Sequence, residues 1–179
     1  MRNFYILFIL VLVLAAIVFV SRSGYLSRKD PGEPASKAMR EAIDTPQTPQ
    51  LSSEESAAIA ETYGTATVRP SGLRYIIRAP GSGDATPRSG QQVTVQYEGR
   101  LLRDGKRFDS SYDHHRPFTF MVGVGRVIAG WDAMILEMKK GEKRTVIIPW
   151  WLGYGTRGAP PMIPPKASLV FEIELVDFN

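Results

Sequence analysis

Cysteine is absent from all 179 residues, which excludes disulfides, thiolate metal sites, a catalytic thiol and a lipidated cysteine. Its absence fits any redox compartment. Histidine is scarce: His114 and His115 are the only two and are neighbours in the chain. Adjacent side chains point apart, a poor arrangement for a shared metal or a catalytic triad. No G-x-G-x-x-G, Walker or G-x-S-x-G motif occurs, and Gly123-Val124-Gly125 lacks both a third glycine and a βαβ context. Charge is also modest. Lys+Arg 22 against Asp+Glu 18 leaves +4, divided into an acidic stretch over 30–65 and a surplus of sixteen basic over eleven acidic residues from 66 to 179. Without a basic run interleaved with aromatics, nucleic acid is not an expected partner.

Against these absences stands one long apolar run. Phe4 to Val20 reads FYILFILVLVLAAIVFV, with Arg2 before it and Arg22, Arg28 and Lys29 after it. As a helix it would span about 26 Å, close to the hydrocarbon thickness of a bilayer. Residues 1–21 are therefore read as an uncleaved signal anchor, a transmembrane helix through residues 4–20. A cleaved signal with Ser21-Arg22-Ser23 as its site, leaving a secreted form, is the alternative. Lysine and arginine counts favour a cytoplasmic main domain, whereas the short Arg2-bearing N-terminus is how exported chains begin. The expectation adopted is export, with the domain on the extracytoplasmic, periplasmic side. Residues 22–65, rich in Ser, Pro, Glu and Ala around Thr45-Pro46-Gln47-Thr48-Pro49, read as a semi-extended tether. Short helices are possible near 36–43 and 54–61, the second with Ser52 or Ser53 as its cap.

From residue 66 to 179 the pattern is that of a folded domain. Val93, Val95 and Tyr97 alternate with polar residues, as do Leu169, Phe171, Ile173 and Leu175 with their neighbours, which is the period of half-buried strands. Leu73–Arg78, Phe118–Val122 and Arg144–Ile148 read as further strands, and Asp104-Gly105 as a hairpin turn. Trp131, Met134, Ile135 and Met138 recur at helical spacing, with Lys139, Lys140 and a capping Gly141 closing the helix. One helix among antiparallel strands buries its stripe if the sheet curls around it. The fold class is α+β, a strongly curved antiparallel sheet wrapped around one short helix. The remaining aromatic and aliphatic residues, interleaved with the carboxylate Asp109, suit a concave apolar pocket with a few polar groups.

Val93-Thr-Val-Gln-Tyr97-Glu-Gly99, Asp104-Gly-Lys-Arg-Phe108-Asp109-Ser-Ser111, Pro117-Phe118, Val127-Ile128-Ala-Gly130-Trp131 and Ile163-Pro164-Pro165…Leu169-Val-Phe171 resemble the FKBP family of peptidyl-prolyl cis–trans isomerases over about residues 71–179. Ser71-Gly72-Leu73-Arg74-Tyr75 and Thr86-Pro87 look like its bacterial, extracytoplasmic branch. The resemblance implies a site made of Asp109, Tyr154 and Trp131 as catalytic residues, with Trp131 as the floor for a proline ring. Tyr97, Phe108, Phe118, Val127, Ile128, Met162 and Phe171 would bind substrate around it. Tyr154 would offer its hydroxyl and Ile163 its backbone N–H to substrate carbonyls. No metal and no cofactor are implied. Proline-containing polypeptides are the expected substrates, with protein folding near the membrane as the role. Macrolide inhibitors are a further ligand class, weakened by departures at His114, Ala159 and Met162. Trp150-Trp151 suggests a substrate- or membrane-facing patch, and with it the alternative of a non-catalytic peptide-binding module or holdase chaperone.

Overall fold

The computed structural model describes residues 49–179. The apolar run at 4–20 and the helix expected near 36–43 lie outside the described residues, and within them no helix is long and apolar enough to cross a membrane. The first element is helix α1, Ser53–Tyr63. Seven strands follow: β1 Thr67–Val68, β2 Arg74–Ala79, β3 Gln92–Leu101, β4 Arg107–Ser110, β5 Phe118–Met121, β6 Lys143–Ile148 and β7 Leu169–Phe178. Helix α2, Ala129–Ile135, lies between β5 and β6, and a 3₁₀ turn, Trp150–Leu152, follows β6.

The strands form one antiparallel sheet in the order β1-β2-β6-β7-β3-β4. β3 pairs with β7 along one edge. Its other edge is shared, by β5 over Gln92–Val95 and by β4 over Glu98–Arg100. Between these two ladders falls Tyr97, where Ser111 supplies the missing partners. Tyr97 N–H donates to Ser111 Oγ at 2.9 Å, and Ser111 N–H donates to Tyr97 O at 3.0 Å. This explains why Ser111 is buried, since an unpaired backbone group there would carry a desolvation cost.

The concave face of the sheet wraps on α2. Val93, Val95 and Tyr97 of β3, Val146 and Ile148 of β6 and Phe171, Ile173 and Leu175 of β7 meet Trp131, Met134, Ile135 and Met138. Periodicity predicts a helix running to Met138, but α2 ends at Ile135. Glu137 and Met138 continue in tighter turns, donating to Met134 O and Ile135 O, which keeps Met138 fully buried. Gly141 accordingly does not cap the helix. It takes its φ of 78° in the turn into β6, closed by Glu142 N–H to Lys139 O. The buried Glu142–Arg144 pair fastens this junction, because Arg144 also donates to Glu137 O and lies 4.6 Å from the Tyr75 ring centroid.

The convex face is covered as well. Ile59 of α1 packs with Leu102, Ile147 and Val170, so the compact unit runs from Pro49 to Asn179. The expected domain boundary at 66 is corrected here: 49–65, the end of the expected tether, belong to the compact unit, while 22–48 lie outside the described residues. Hydrophobic contact decides this, since the single buried side chain of α1 is held by three others from the sheet and hairpin. Ser52 accepts from Glu55 N–H while Glu55 accepts from Ser52 N–H, a complete capping box.

Candidate active site

Trp131 stands in the first turn of α2 and is 5% exposed. Its indole is met edge-on by Tyr97 at 5.1 Å and Phe171 at 5.2 Å, and Phe120 leans on it at 5.8 Å. Phe108 meets Phe171 edge-on at 5.6 Å. Each such pair adds about 0.5–1.5 kcal/mol beyond the area it buries, so the pairs together favour this arrangement of the rings. Gly99 makes this possible on β3. A Cβ there would sit 2.6 Å from Phe171 Cε1 and 2.7 Å from Phe108 Cζ.

Above the indole is an open cavity of about 470 Å³, within the range of small-ligand sites. Tyr97, Phe108, Asp109, Phe118, Val127, Ile128, Trp131, Tyr154 and Phe171 line it, together with Arg126. Phe118 and Tyr154 form an exposed rim, while Trp131 and Phe171 lie deep. Two predicted residues are not brought to it. Met162 is exposed on the loop before β7. Ile163 is buried in the core, and its N–H donates to Ala159 O at 3.0 Å while Ala159 N–H returns a bond at 2.8 Å. The expectation that Ile163 offers a free N–H is therefore corrected. The N–H of Ile128, the residue that opens α2, has no protein acceptor among the described residues.

Asp109 is the carboxylate of the site. Tyr97 Oη donates to Oδ2 at 2.5 Å, Ser110 N–H to Oδ1 at 2.9 Å, and His114 Nε2 lies 3.0 Å from Oδ1. Partial burial alone would push this carboxyl up, but the bonds from Tyr97, His114 and Ser110 outweigh it and hold Asp109 below its ordinary value. The same environment acts oppositely on the phenols. Burial first, then Asp109, pushes Tyr154 up. Burial and the Asp109 hydrogen bond push Tyr97 up further. At neutral pH the site thus holds one ionised carboxylate and two protonated hydroxyl groups.

Trp150 and Trp151 do not reach the cavity. They meet each other edge-on at 5.6 Å, and their indole N–H groups donate to Gln50 O at 3.4 Å and Ser71 O at 3.0 Å. The pair fastens the leading segment of the compact unit and lies outside the cavity lining, which corrects the reading of a substrate-facing patch at that cavity. Gly123 and Gly125 donate their N–H groups to Asp132 of α2 at 2.8 and 2.9 Å, pinning the loop that carries Arg126 to Ile128. Sequence reasoning missed Arg126 and Ser111. Arg126 could have been found from its place directly before Val127-Ile128, whereas the role of Ser111 arises only from where two ladders stop.

Residues 83–176 match the model of the FKBP-type peptidyl-prolyl cis-trans isomerase family. The chain is 45% identical to FK506-binding protein 1A of Aspergillus fumigatus over 108 residues, covering 60% of this chain and 96% of that one. It is 43% identical to the peptidyl-prolyl cis-trans isomerase Fkbp12 of Drosophila melanogaster over 105 residues, covering 59% and 96%. The crystal structure of AtFKBP13 superposes with a TM-score of 0.60 at 42% identity, over 64% of this chain and 98% of that one. Both curated relatives are eukaryotic, so they support the family and not its bacterial, extracytoplasmic branch. Ser71–Tyr75, which pointed to that branch, leads into β2 and buries Leu73. A curved sheet wrapped on one helix, an indole-floored groove and a match spanning almost the whole length of these relatives agree: the chain belongs to the FKBP-type peptidyl-prolyl cis-trans isomerases and carries that family's isomerase activity.

Proposed function

We propose that the groove over Trp131 binds the proline ring of a polypeptide and lowers the barrier to rotation about the bond preceding it, and that the protein uses this to assist folding beside a membrane. Rotation about an X–Pro bond faces a barrier of roughly 18–20 kcal/mol set by amide resonance. The planar amide is more dipolar than the twisted one, so water favours the ground state. Transfer into a groove of aromatic and aliphatic side chains removes that preference, and contacts that fit the twisted form add to the gain. Lowering the barrier by about 5–6 kcal/mol accelerates rotation roughly 10⁴-fold.

Each polar group has a part in this reading. Asp109, kept ionised, faces a carbonyl carbon that becomes electron-poor as resonance is lost. Tyr154, kept protonated, donates to a substrate carbonyl. The Ile128 N–H takes the donor role first given to Ile163. The residues supply all of this without a nucleophile. Macrolides of the kind named for the Aspergillus relative, FK506, are proposed to enter the same groove.

The observation that carries the proposal is the open aromatic cavity with an ionised carboxylate at its rim. NMR exchange spectroscopy on a short X-Pro peptide with the full-length protein tests it. Trp131→Ala should reduce kcat/KM at least tenfold, and Asp109→Leu by a similar factor. Unchanged rates in both variants would show that rotation occurs elsewhere. The anchoring reading rests on the 4–20 run alone, with the isomerase domain placed on the extracytoplasmic side.

A further inference from the structure

Behind the rim of the groove lies a second, smaller cleft of about 220 Å³, lined by Tyr97, Ser111, His114, Arg116, Pro117 and Phe118. Tyr97 and Phe118 line both spaces, with ring centroids 6.2 Å apart and planes at 70°. Their two rings are the partition between them. The smaller cleft has room for one side chain, not for a proline with its flanking amides. It opens on the Asp109 side of the rim, since His114, which lines it, lies 3.0 Å from Asp109 Oδ1.

Its charge is the informative feature. The carboxylates close to it are already engaged. Asp109 accepts from Tyr97, Ser110 and His114, and Asp113 pairs with Arg107 at 3.2 Å. Arg107 also reaches Glu98, whereas Arg116 has no carboxylate partner among the described residues. Ser111 Oγ is taken up by Gln96 and Tyr97. The cleft thus presents an apolar wall of Tyr97, Pro117 and Phe118, with an unpaired guanidinium and an imidazole at its edge. A carboxylate on a short apolar stem complements that surface, and a lysine does not.

We propose that this cleft is a substrate-specificity subsite that takes an acidic side chain, Glu or Asp, flanking the isomerised proline, with Arg116 as its specificity-determining residue. The inference rests on the reading of the larger groove as the proline site.

The test uses the full-length protein and five-residue peptides containing one proline. Glu, Gln, Lys or Ala is placed in turn at each of the two positions on either side of the proline, and kcat/KM is measured by NMR exchange. At one position Glu should exceed Lys by about two- to fivefold, the scale of a partly exposed ion pair, and the gap should close at high salt. Arg116→Gln should abolish the difference and Arg116→Glu should invert it. All three proteins should turn over the all-Ala peptide equally, which also certifies that the variants are folded. Equal rates for Glu and Lys at every position, or a Glu preference that survives Arg116→Glu, overturns the proposal. Failure of the groove reading looks different, because the all-Ala peptide then gains no rate. In that case, peptide-induced NMR shifts still decide the question: a Glu-selective shift at the Arg116 amide supports the subsite, and its absence rejects it.

Discussion

At the scale of single residues, the site depends on side chains held by what lies behind them. Gly99 is the plainest case. Its φ is not in the left-handed region, so the need for glycine there is one of space: two ring edges occupy the volume of a Cβ. Gly99→Ala should force Phe108 and Phe171 into the groove. A five- to tenfold or greater loss in kcat/KM is expected, by roughly the reasoning that a misplacement of about 1 Å costs up to 10²-fold. The peptide assay checks this, and an unchanged rate would show the rings can retreat. Asp109 gives a second expectation. A carboxyl held below its ordinary value of 3.8 favours the fold at pH above the ordinary carboxylate range. It loses that contribution as pH falls through the depressed value. The Asp109-dependent part of kcat/KM should therefore stay level down to about pH 5 and fall only in stronger acid. His114→Leu removes one of the three bonds to the carboxylate and should move that fall to higher pH. Coincident profiles for the two proteins would show that His114 does not act on Asp109.

At the scale of elements, α1 is the addition that matters most. It closes the convex face through Ile59, and its first turn reaches the loop that carries Tyr154. Ser168 N–H donates to Glu55 Oε1, and Trp150 N–H donates to Ser168 Oγ, both at 3.3 Å. Ile59→Ala should cost about 2–4 kcal/mol from lost burial and the cavity left behind. Ser52→Ala should cost about 1 kcal/mol from loss of the cap. Denaturant unfolding followed by tryptophan fluorescence measures both, with kcat/KM under native conditions near the wild-type value. A native-like midpoint for Ile59→Ala would mean that α1 is dispensable. The sequence made the concave half of this architecture legible, because Val93, Val95 and Tyr97 keep a period of two and Trp131, Met134 and Ile135 a helical one. The convex half was hidden. Ile147 sits in β6, buried on both faces so that alternation disappears. Val170 interrupts the alternation of β7 only at its start, and α1 has a single buried contact that composition reads as solvent-exposed helix in a tether.

At the scale of the whole molecule, the folded unit from 49 to 179 follows a leading segment whose most distinctive feature is the apolar run at 4–20. If that run anchors the chain with its C-terminal part exported, a C-terminal reporter active only outside the cytoplasm should give signal in intact cells. The same reporter on a chain lacking residues 1–21 should give none. Signal from a cytoplasm-dependent reporter instead would reverse the orientation. The lining of the cavity over Trp131 was legible for most of its residues, because its walls are also the densest run of family motifs. Ile163 and Met162, placed by the family resemblance, fall outside the lining because Ile163 turns its N–H to Ala159 O and its side chain into the core, while Met162 faces out.

The junction at Ser111 has a broader consequence. Because β4 and β5 share one edge of β3 and a serine completes the interval between them, residues 112–117 form a lip that no ladder registers. Such a lip can change its length or its charges without re-threading the sheet or disturbing the indole beneath. Apart from His114, which is tied to Asp109, the lip can thus be retuned toward a different flanking residue while one rotor beneath it stays the same.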